Sequence, residues 1–499
     1  MLLPIDEINT FELPPDSRGG RPIPADEKPV GKTSGDINAA ELSARDFATS
    51  VFETRQVEPK RRGLLGLRLQ REHLVFACAM LVLVGIMLEV GQILLSRQGQ
   101  TPLGTTLGGD FPCFYIAGGL VRQGHADQLY DLGLQDQIFH SQFPKEDPAV
   151  SLPYVYPPAV AAVLSGLSAF SYPKATAIWA GISFALYGGG VWLLMLSCRE
   201  LSSRARFLAV MLSLSFEPFL IECLHGGQLS VVAFAAVSLA IYLGRRGDAF
   251  ASGMSLGICA YKPTLMVILL PAMVLGRRWV LALGVLAMMA IGALASWATV
   301  GTSGCLIFVE RMRQYARVTA SGEGFRLFKF VDISAFVKLV THQPSAPGWT
   351  VSLPLMIAVI FGAGILWRRN RRMDSASGNG AASLSLCLAA TLACNLYVGI
   401  YDSILIVPAI WLLVNEQYDR FGTVKPAMRW LIAAVAIGPW ITQPMAQLLG
   451  VQIYTLILLA SGGFAIAARL KRPVAERVSA TAKRAEAAPS AFQLVEQMA

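Results

Sequence analysis

LVFACAMLVLVGIMLEVGQILL, residues 74–95, carries one charge, Glu89, and WVLALGVLAMMAIGALASWATV, residues 279–300, carries none. These two stretches decide the fold. A helix needs roughly 20 apolar residues to cross about 30 Å of hydrocarbon. Only helices or closed barrels satisfy their own backbone polar groups there. Neither stretch alternates apolar and polar residues as a barrel strand would, so both are predicted to be membrane helices. The rest of the chain agrees. Of 499 residues, 54% are hydrophobic and only 15% charged, whereas soluble domains carry about a quarter charged residues. Mean hydropathy is +0.51.

Lys and Arg set the expected orientation, because basic residues collect on the cytoplasmic side of short loops. Lys60, Arg61, Arg62, Arg68 and Arg71 precede the first apolar run. Further basic turns follow at Arg199/Arg204/Arg206, Arg245/Arg246, Arg277/Arg278, Arg368/Arg369/Arg371/Arg372, Arg420/Lys425/Arg429 and Arg469/Lys471/Arg472. All fit one side, which makes both termini cytoplasmic. Full spans are then predicted near 73–95, 175–197, 205–222, 228–244, 279–299, 350–367, 381–400, 402–415, 429–443 and 450–469. Residues 157–170 are apolar but short, and 249–276 are broken at Lys262-Pro263 into halves too short for ordinary spans. The latter reads as a re-entrant or broken hairpin, which membranes tolerate where it lines a protein cavity. The expected architecture is an all-α integral membrane bundle of about ten to thirteen membrane helices with a long non-cytoplasmic first loop.

Residues 1–60 are polar and Pro-rich and read as a disordered cytoplasmic tail. No cleavable leader is expected from them, so 74–95 is predicted to act as an uncleaved signal-anchor. A second cytoplasmic tail is expected over 472–499, leaving 72–470 as one polytopic domain. The eight cysteines show no CxxC spacing, and most read as small buried hydrophobes. Cys113 and Cys305 are placed on the same side, where a disulfide is an open option. The net charge of +9 sits at span ends rather than on a basic face interleaved with aromatics, so nucleic-acid binding is not expected.

Two long loops lie opposite the basic turns. Residues 97–156 hold Gly109-Asp110-Phe111-Pro112-Cys113-Phe114-Tyr115, then His125, Tyr130-Asp131 and Tyr154-Val155-Tyr156-Pro157-Pro158. Asp110, just beyond a span, can be reached from water and from the bilayer. It could accept a hydroxyl proton as general base, or merely cap a helix starting at Phe111. The other loop, about 300–349, carries Arg311, Arg313, Arg317, Arg326, Lys329 and Lys338. Those bases either escape the charge rule because the loop is long or meet a phosphate at the membrane surface. Within the membrane region, His225-Gly226-Gly227-Gln228, Lys262, Glu217, Glu222 and Tyr401-Asp402 stand out. Ionisable groups at such depth are costly and usually face a cavity or a partner. Lys262 could instead snorkel or pair with a carboxylate, and Asp402 could end a helix. The chain contains no GxxxxGK[ST] run, no DxD pair in these loops and no His-rich cluster. This argues against an ATP-driven pump and gives no reason to expect a bound metal or other cofactor.

Taken in order, Gly108-Gly109-Asp110-Phe111 with Tyr115, Leu129-Tyr130-Asp131, Tyr156-Pro157-Pro158, His225-Gly226-Gly227-Gln228, Gly257 with Lys262-Pro263 then Arg277-Arg278-Trp279, and Tyr401-Asp402 resemble glycosyltransferase family 87 across about 72–470. The match departs from the family in the extra glycine before Gln228 and in Asn395–Ile400, where a Ser-Pro and often a His would be expected. The resemblance implies a GT-C-type multi-span fold in a bacterial-type plasma (inner) membrane, with the active site on the periplasmic or extracellular side. It implies inverting transfer of a hexosyl (mannosyl-like) group from a polyprenyl-phosphate-sugar donor to a hydroxyl of a glycan or glycolipid acceptor, without a metal. Asp110 would be the general base, and Lys262, Arg326 and Lys329 would bind the donor phosphate. Tyr115, His125, Tyr130, Tyr156, His225, Gln228, Tyr401 and Asp402 would line the substrate. The rival functions are a transporter or flippase of lipid-linked sugars, for which a second broken segment in a matching position is missing from the sequence, and a non-enzymatic scaffold, which leaves Asp110, Lys262 and Asp402 without roles.

Overall fold

The computed structural model describes residues 71–102, 105–148, 150–321, 326–370 and 380–470. Both predicted tails lie outside them. Among the described residues the chain is helical, with isolated bridges rather than strands. Five helices are long and apolar enough to cross a bilayer: Arg71–Leu95, Tyr172–Ser197, Trp279–Thr319, Trp349–Arg369 and Pro426–Leu449. Shorter apolar helices of 10–17 residues accompany them, among them Ser230–Arg245 and Ala381–Ala393.

Short helices fill the centre and long ones face outward. Ala381–Ala393 would be only about 20 Å long at 1.5 Å per residue. All but one of its residues, Leu384, are buried. A helix that is apolar all round belongs inside a protein. Arg71–Leu95 is the opposite case. Only Cys78, Gly85 and Glu89 are buried, while Phe76 and Leu94 are 68% and 76% exposed. Such a surface suits lipid. Small residues allow the closest helix contact: a Cβ on Gly253 would lie 2.1 Å from the Leu281 carbonyl oxygen and 3.0 Å from the Gly284 Cα. Bilayer helices use this close approach because lipid supplies no hydrophobic drive for association.

The structure corrects several expected boundaries. The predicted span 205–222 is broken into Ser203–Leu214 and a π-helix, Pro218–His225, bent by 41°. Pro218 has no N–H to offer the preceding turn, so the α-helical ladder stops there. The helix opening at Trp279 does not end near 300 but runs to Ser321 across a kink at Gly301. Its polar continuation is supported by helix-spaced pairs: Arg313–Glu310 at 3.9 Å and Arg311 Nη1 donating to Gln314 Oε1 at 2.9 Å. Thus Arg311 and Arg313 sit on a helix rather than in a loop. The break at Lys262-Pro263 occurs as expected, between Ala249–Gly257 with its 3-10 turn Ile258–Tyr261 and Met266–Leu275. A third interruption is the 3-10 segment Ile400–Leu405 before Ile406–Phe421. All eight cysteines are free, including Cys113 and Cys305.

Candidate active site

The three broken elements carry the polar groups. Asp110 precedes the helix Phe111–Arg122 yet makes no side-chain cap. The other aspartates in that position do cap: Asp131, Asp248 and Asp332 accept from Leu134, Ala251 and Ala335 N–H at 3.0, 2.9 and 3.0 Å. The Asp110 carboxylate instead accepts from the Gln228 amide, and the Asp110 N–H donates to the Gly226 carbonyl at 3.0 Å. Helix capping is therefore not its role in this fold.

Glycines make that approach possible. Gly108, Gly109 and Gly227 have φ of 76°, 52° and 65°, the left-handed region that side chains disfavour. A Cβ on Gly109 would lie 2.8 Å from the Gly226 Cα, and one on Gly227 would lie 2.4 Å from the Gly108 carbonyl oxygen. The two Gly-Gly pairs interlock, which gives the extra glycine before Gln228 a packing reason.

Two residues past Gln228, the Ser230 hydroxyl donates to Asp402 Oδ1 at 2.7 Å. The Lys262 ammonium pairs with Asp402 Oδ2 and lies over the Tyr401 ring, 4.8 Å from its centroid. Asp402 is fully buried, so its charge requires that partner. One turn, Gln228-Leu229-Ser230, thus touches both carboxylates. The tyrosines around it report the same convergence. Burial, then Cys113, Tyr261, Asp402 and Asp110, push the Tyr156 phenol well above its ordinary range. The Tyr397 phenol shares a hydrogen bond with that of Tyr315.

Asp110 itself is held above the usual carboxylate range. Burial is the main cause; Lys329, the Gln228 bond and Arg326 pull it back, while Glu222 pushes it up. Lys329 and Arg326 are therefore close enough for their charges to act on Asp110. Their segment is pinned beside the Tyr397–Asp402 stretch: the Val331 N–H donates to the Val398 carbonyl at 2.9 Å, and the Val398 N–H donates to Asp332 Oδ2 at 3.0 Å. Gln452 Nε2 also donates to the Phe328 carbonyl at 2.8 Å.

Other residues singled out in the sequence are placed elsewhere or committed to packing. The His225 Nδ1 meets Glu89 Oε2 at 2.5 Å, giving the lone charge of the first span a partner. Tyr115 donates to the Phe170 carbonyl at 2.9 Å and Tyr130 to the Tyr156 carbonyl at 2.7 Å, so both phenols support the loop. His125 is exposed beyond the far end of Phe111–Arg122, roughly 20 Å along the helix from Asp110 at 1.5 Å per residue. Tyr156 stacks on Tyr261 with centroids 6.3 Å apart. Sequence reasoning did not single out Ser230, Tyr261, Tyr397 or Gln443. Tyr261 adjoins Lys262 and Ser230 lies two residues past Gln228, so proximity was an available signal; nothing local marks Gln443. Among the described residues, no group of three or more His, Cys, Asp and Glu is placed to hold a metal ion.

Fold and site together define a polytopic membrane protein whose broken helices gather two carboxylates, cations and tyrosines around one glycine-rich turn. Residues 154–397 match the model of glycosyltransferase family 87, so over that stretch the chain is similar to this family, which supports a membrane glycosyltransferase. The matched segment contains Gln228, Lys262, Arg326 and Lys329; Asp110 and Asp402 lie outside it and join it through the contacts above. No curated protein and no solved structure matches the chain.

Proposed function

We propose that the protein transfers a hexosyl, mannosyl-like group from a polyprenyl-phosphate sugar to an acceptor hydroxyl on the periplasmic or outer side of a bacterial-type plasma membrane. Asp110 takes the hydroxyl proton as the acceptor oxygen attacks the anomeric carbon. The bond from that carbon to the phosphate oxygen breaks, and polyprenyl phosphate leaves with the electron pair. The observation that carries this reading is the Asp110 carboxylate held by Gln228 instead of capping its helix. Its raised affinity for protons suits a proton acceptor.

Charge develops on the leaving phosphate, so cations positioned there lower the barrier. Lys262 is already engaged by Asp402. Lys329 and Arg326, whose charges reach Asp110, are the better-placed pair to meet the phosphate, while the Lys262–Asp402 pair anchors the floor of the site. The tyrosines offer ring faces to a sugar.

Transport of lipid-linked sugars is the rival reading, and the second broken span at Pro218 is a feature it would use. The family match favours transfer. The deciding experiment incubates the full-length protein in proteoliposomes with polyprenyl-phosphate sugar labelled in the sugar. Label appearing covalently on an acceptor, and lost in Asp110→Asn, supports transfer. Label that merely crosses the bilayer, equally in both proteins, overturns it.

A further inference from the structure

A second polar pair stands beside Asp110 and is not used by the steps above. Gln443 Nε2 donates to Glu222 Oε1 at 2.7 Å across 221 positions, tying Pro218–His225 to Pro426–Leu449. Glu222 lies one turn before Gly226, the residue whose carbonyl accepts the Asp110 N–H, and its charge reaches Asp110. Both members of the pair are half-buried. Among the described residues, the second Glu222 oxygen and the Gln443 carbonyl oxygen have no hydrogen bond. Glu217, only 5% exposed, is near enough for the charge of Glu222 to act on it, and its buried Oε2 has no partner among the described residues. Trp440, half-buried, lies three residues before Gln443 on the same helix face.

We propose that Glu222 and Gln443 form an acceptor subsite that takes the hydroxyls of a neutral sugar. This rests on the transferase reading above. Carboxylate and carboxamide oxygens that only accept hydrogen bonds recruit O–H donors. The Glu222 carboxylate also repels a phosphate. The pair thus sorts the substrates: the donor phosphate goes to Lys329 and Arg326, and the uncharged polyol goes to Glu222 and Gln443. The position suits the chemistry, since one sugar ring bound at Glu222 can present a hydroxyl to Asp110.

The test uses the full-length protein in proteoliposomes, a set of radiolabelled polyprenyl-phosphate hexoses as donors and neutral octyl glycosides as acceptors. Glu222→Gln and Gln443→Ala are each expected to raise the KM for octyl glycoside at least tenfold while leaving the KM for donor within twofold. An unchanged acceptor KM, or an equal rise in both constants, overturns the subsite. Gln443 lies half-buried on a helix flank, so its variant keeps the test open if Glu222→Gln does not fold; gel filtration and thermal unfolding in detergent check this. Asp110-dependent hydrolysis of donor by the wild type with no transfer to any neutral glycoside overturns the subsite alone. No Asp110-dependent turnover of any donor overturns the transferase reading itself.

Discussion

Gln228 donates its amide to the carboxylate of Asp110 across 118 positions of sequence, and two residues later Ser230 donates to Asp402. A single turn therefore holds both acidic groups of the site. If it positions the base, Asp110→Asn should lower kcat by about 10²–10⁴-fold, the usual contribution of general base catalysis. Gln228→Ala should lower it less, because the base remains but loses its orientation. Transfer assays with labelled donor check both, and equal turnover by wild type and Asp110→Asn would remove Asp110 from the mechanism.

The same carboxyl predicts two pH effects of opposite sign. If Asp110 is the base, transfer needs it ionised, so kcat/KM should rise with pH through a value above the ordinary carboxylate range. Lys329→Met removes the largest interaction lowering that value, so the acid limb should move to higher pH. Stability runs the other way. A carboxyl whose folded pKa exceeds its unfolded pKa favours folding fully below the unfolded value, and that contribution is lost as pH rises through the folded one. Asp110→Asn should therefore gain thermal stability over wild type at neutral pH and none near pH 3. A gain independent of pH would contradict the assignment.

Arg326→Ala combined with Lys329→Ala should raise the KM for donor at least tenfold, with a smaller effect on the KM for acceptor. These cations are exposed or half-buried at the edge of the site, so thermal stability should change little. An unchanged donor KM removes them from the phosphate.

Lys262 and Asp402 form an almost fully buried pair, with side chains 11% and 0% exposed. Removing one partner strands the other charge, at a cost of about 3–5 kcal/mol. Asp402→Leu or Lys262→Met alone should therefore unfold at a markedly lower temperature. The double variant should recover much of the loss, since two neutral side chains strand no charge. Additive losses in the double variant would show that the pair is not coupled.

Gly227→Ala should abolish transfer and destabilise the fold, because its Cβ would overlap the Gly108 carbonyl at a φ of 65°. Gly124→Ala is the control. It has a similar φ of 84° but nothing within 4 Å of a Cβ, so it should cost only the conformational strain of about 1–2 kcal/mol. Thermal unfolding of both, with equal losses, would argue against the interlock.

Much of this molecule was legible in one dimension because the properties concerned are local. The apolar runs from Leu74 and Trp279 marked membrane helices, since a bilayer demands length and composition of each segment separately. Lys262-Pro263 announced a break because proline lacks a donor. Pro218 carried the same signal, but the apolar residues around it invited a continuous span, whereas the chain continues there as a π-helix. Charge pattern also misplaced the end of the helix starting at Trp279, because helix-spaced polar pairs carry it on past the bilayer-like composition.

The sequence by itself determined that this chain is a multi-span helical membrane protein, and it marked Asp110, Gln228, Lys262 and Asp402 as the polar groups needing an explanation. Only the tertiary structure decided which of them meet. Asp110 goes to Gln228, Lys262 to Asp402 across 140 positions, and Glu89 to His225 across 136. Such pairings depend on which broken helices pack together. No local period encodes that, because a buried charge in a low-dielectric interior requires a partner but does not specify from which part of the chain it comes.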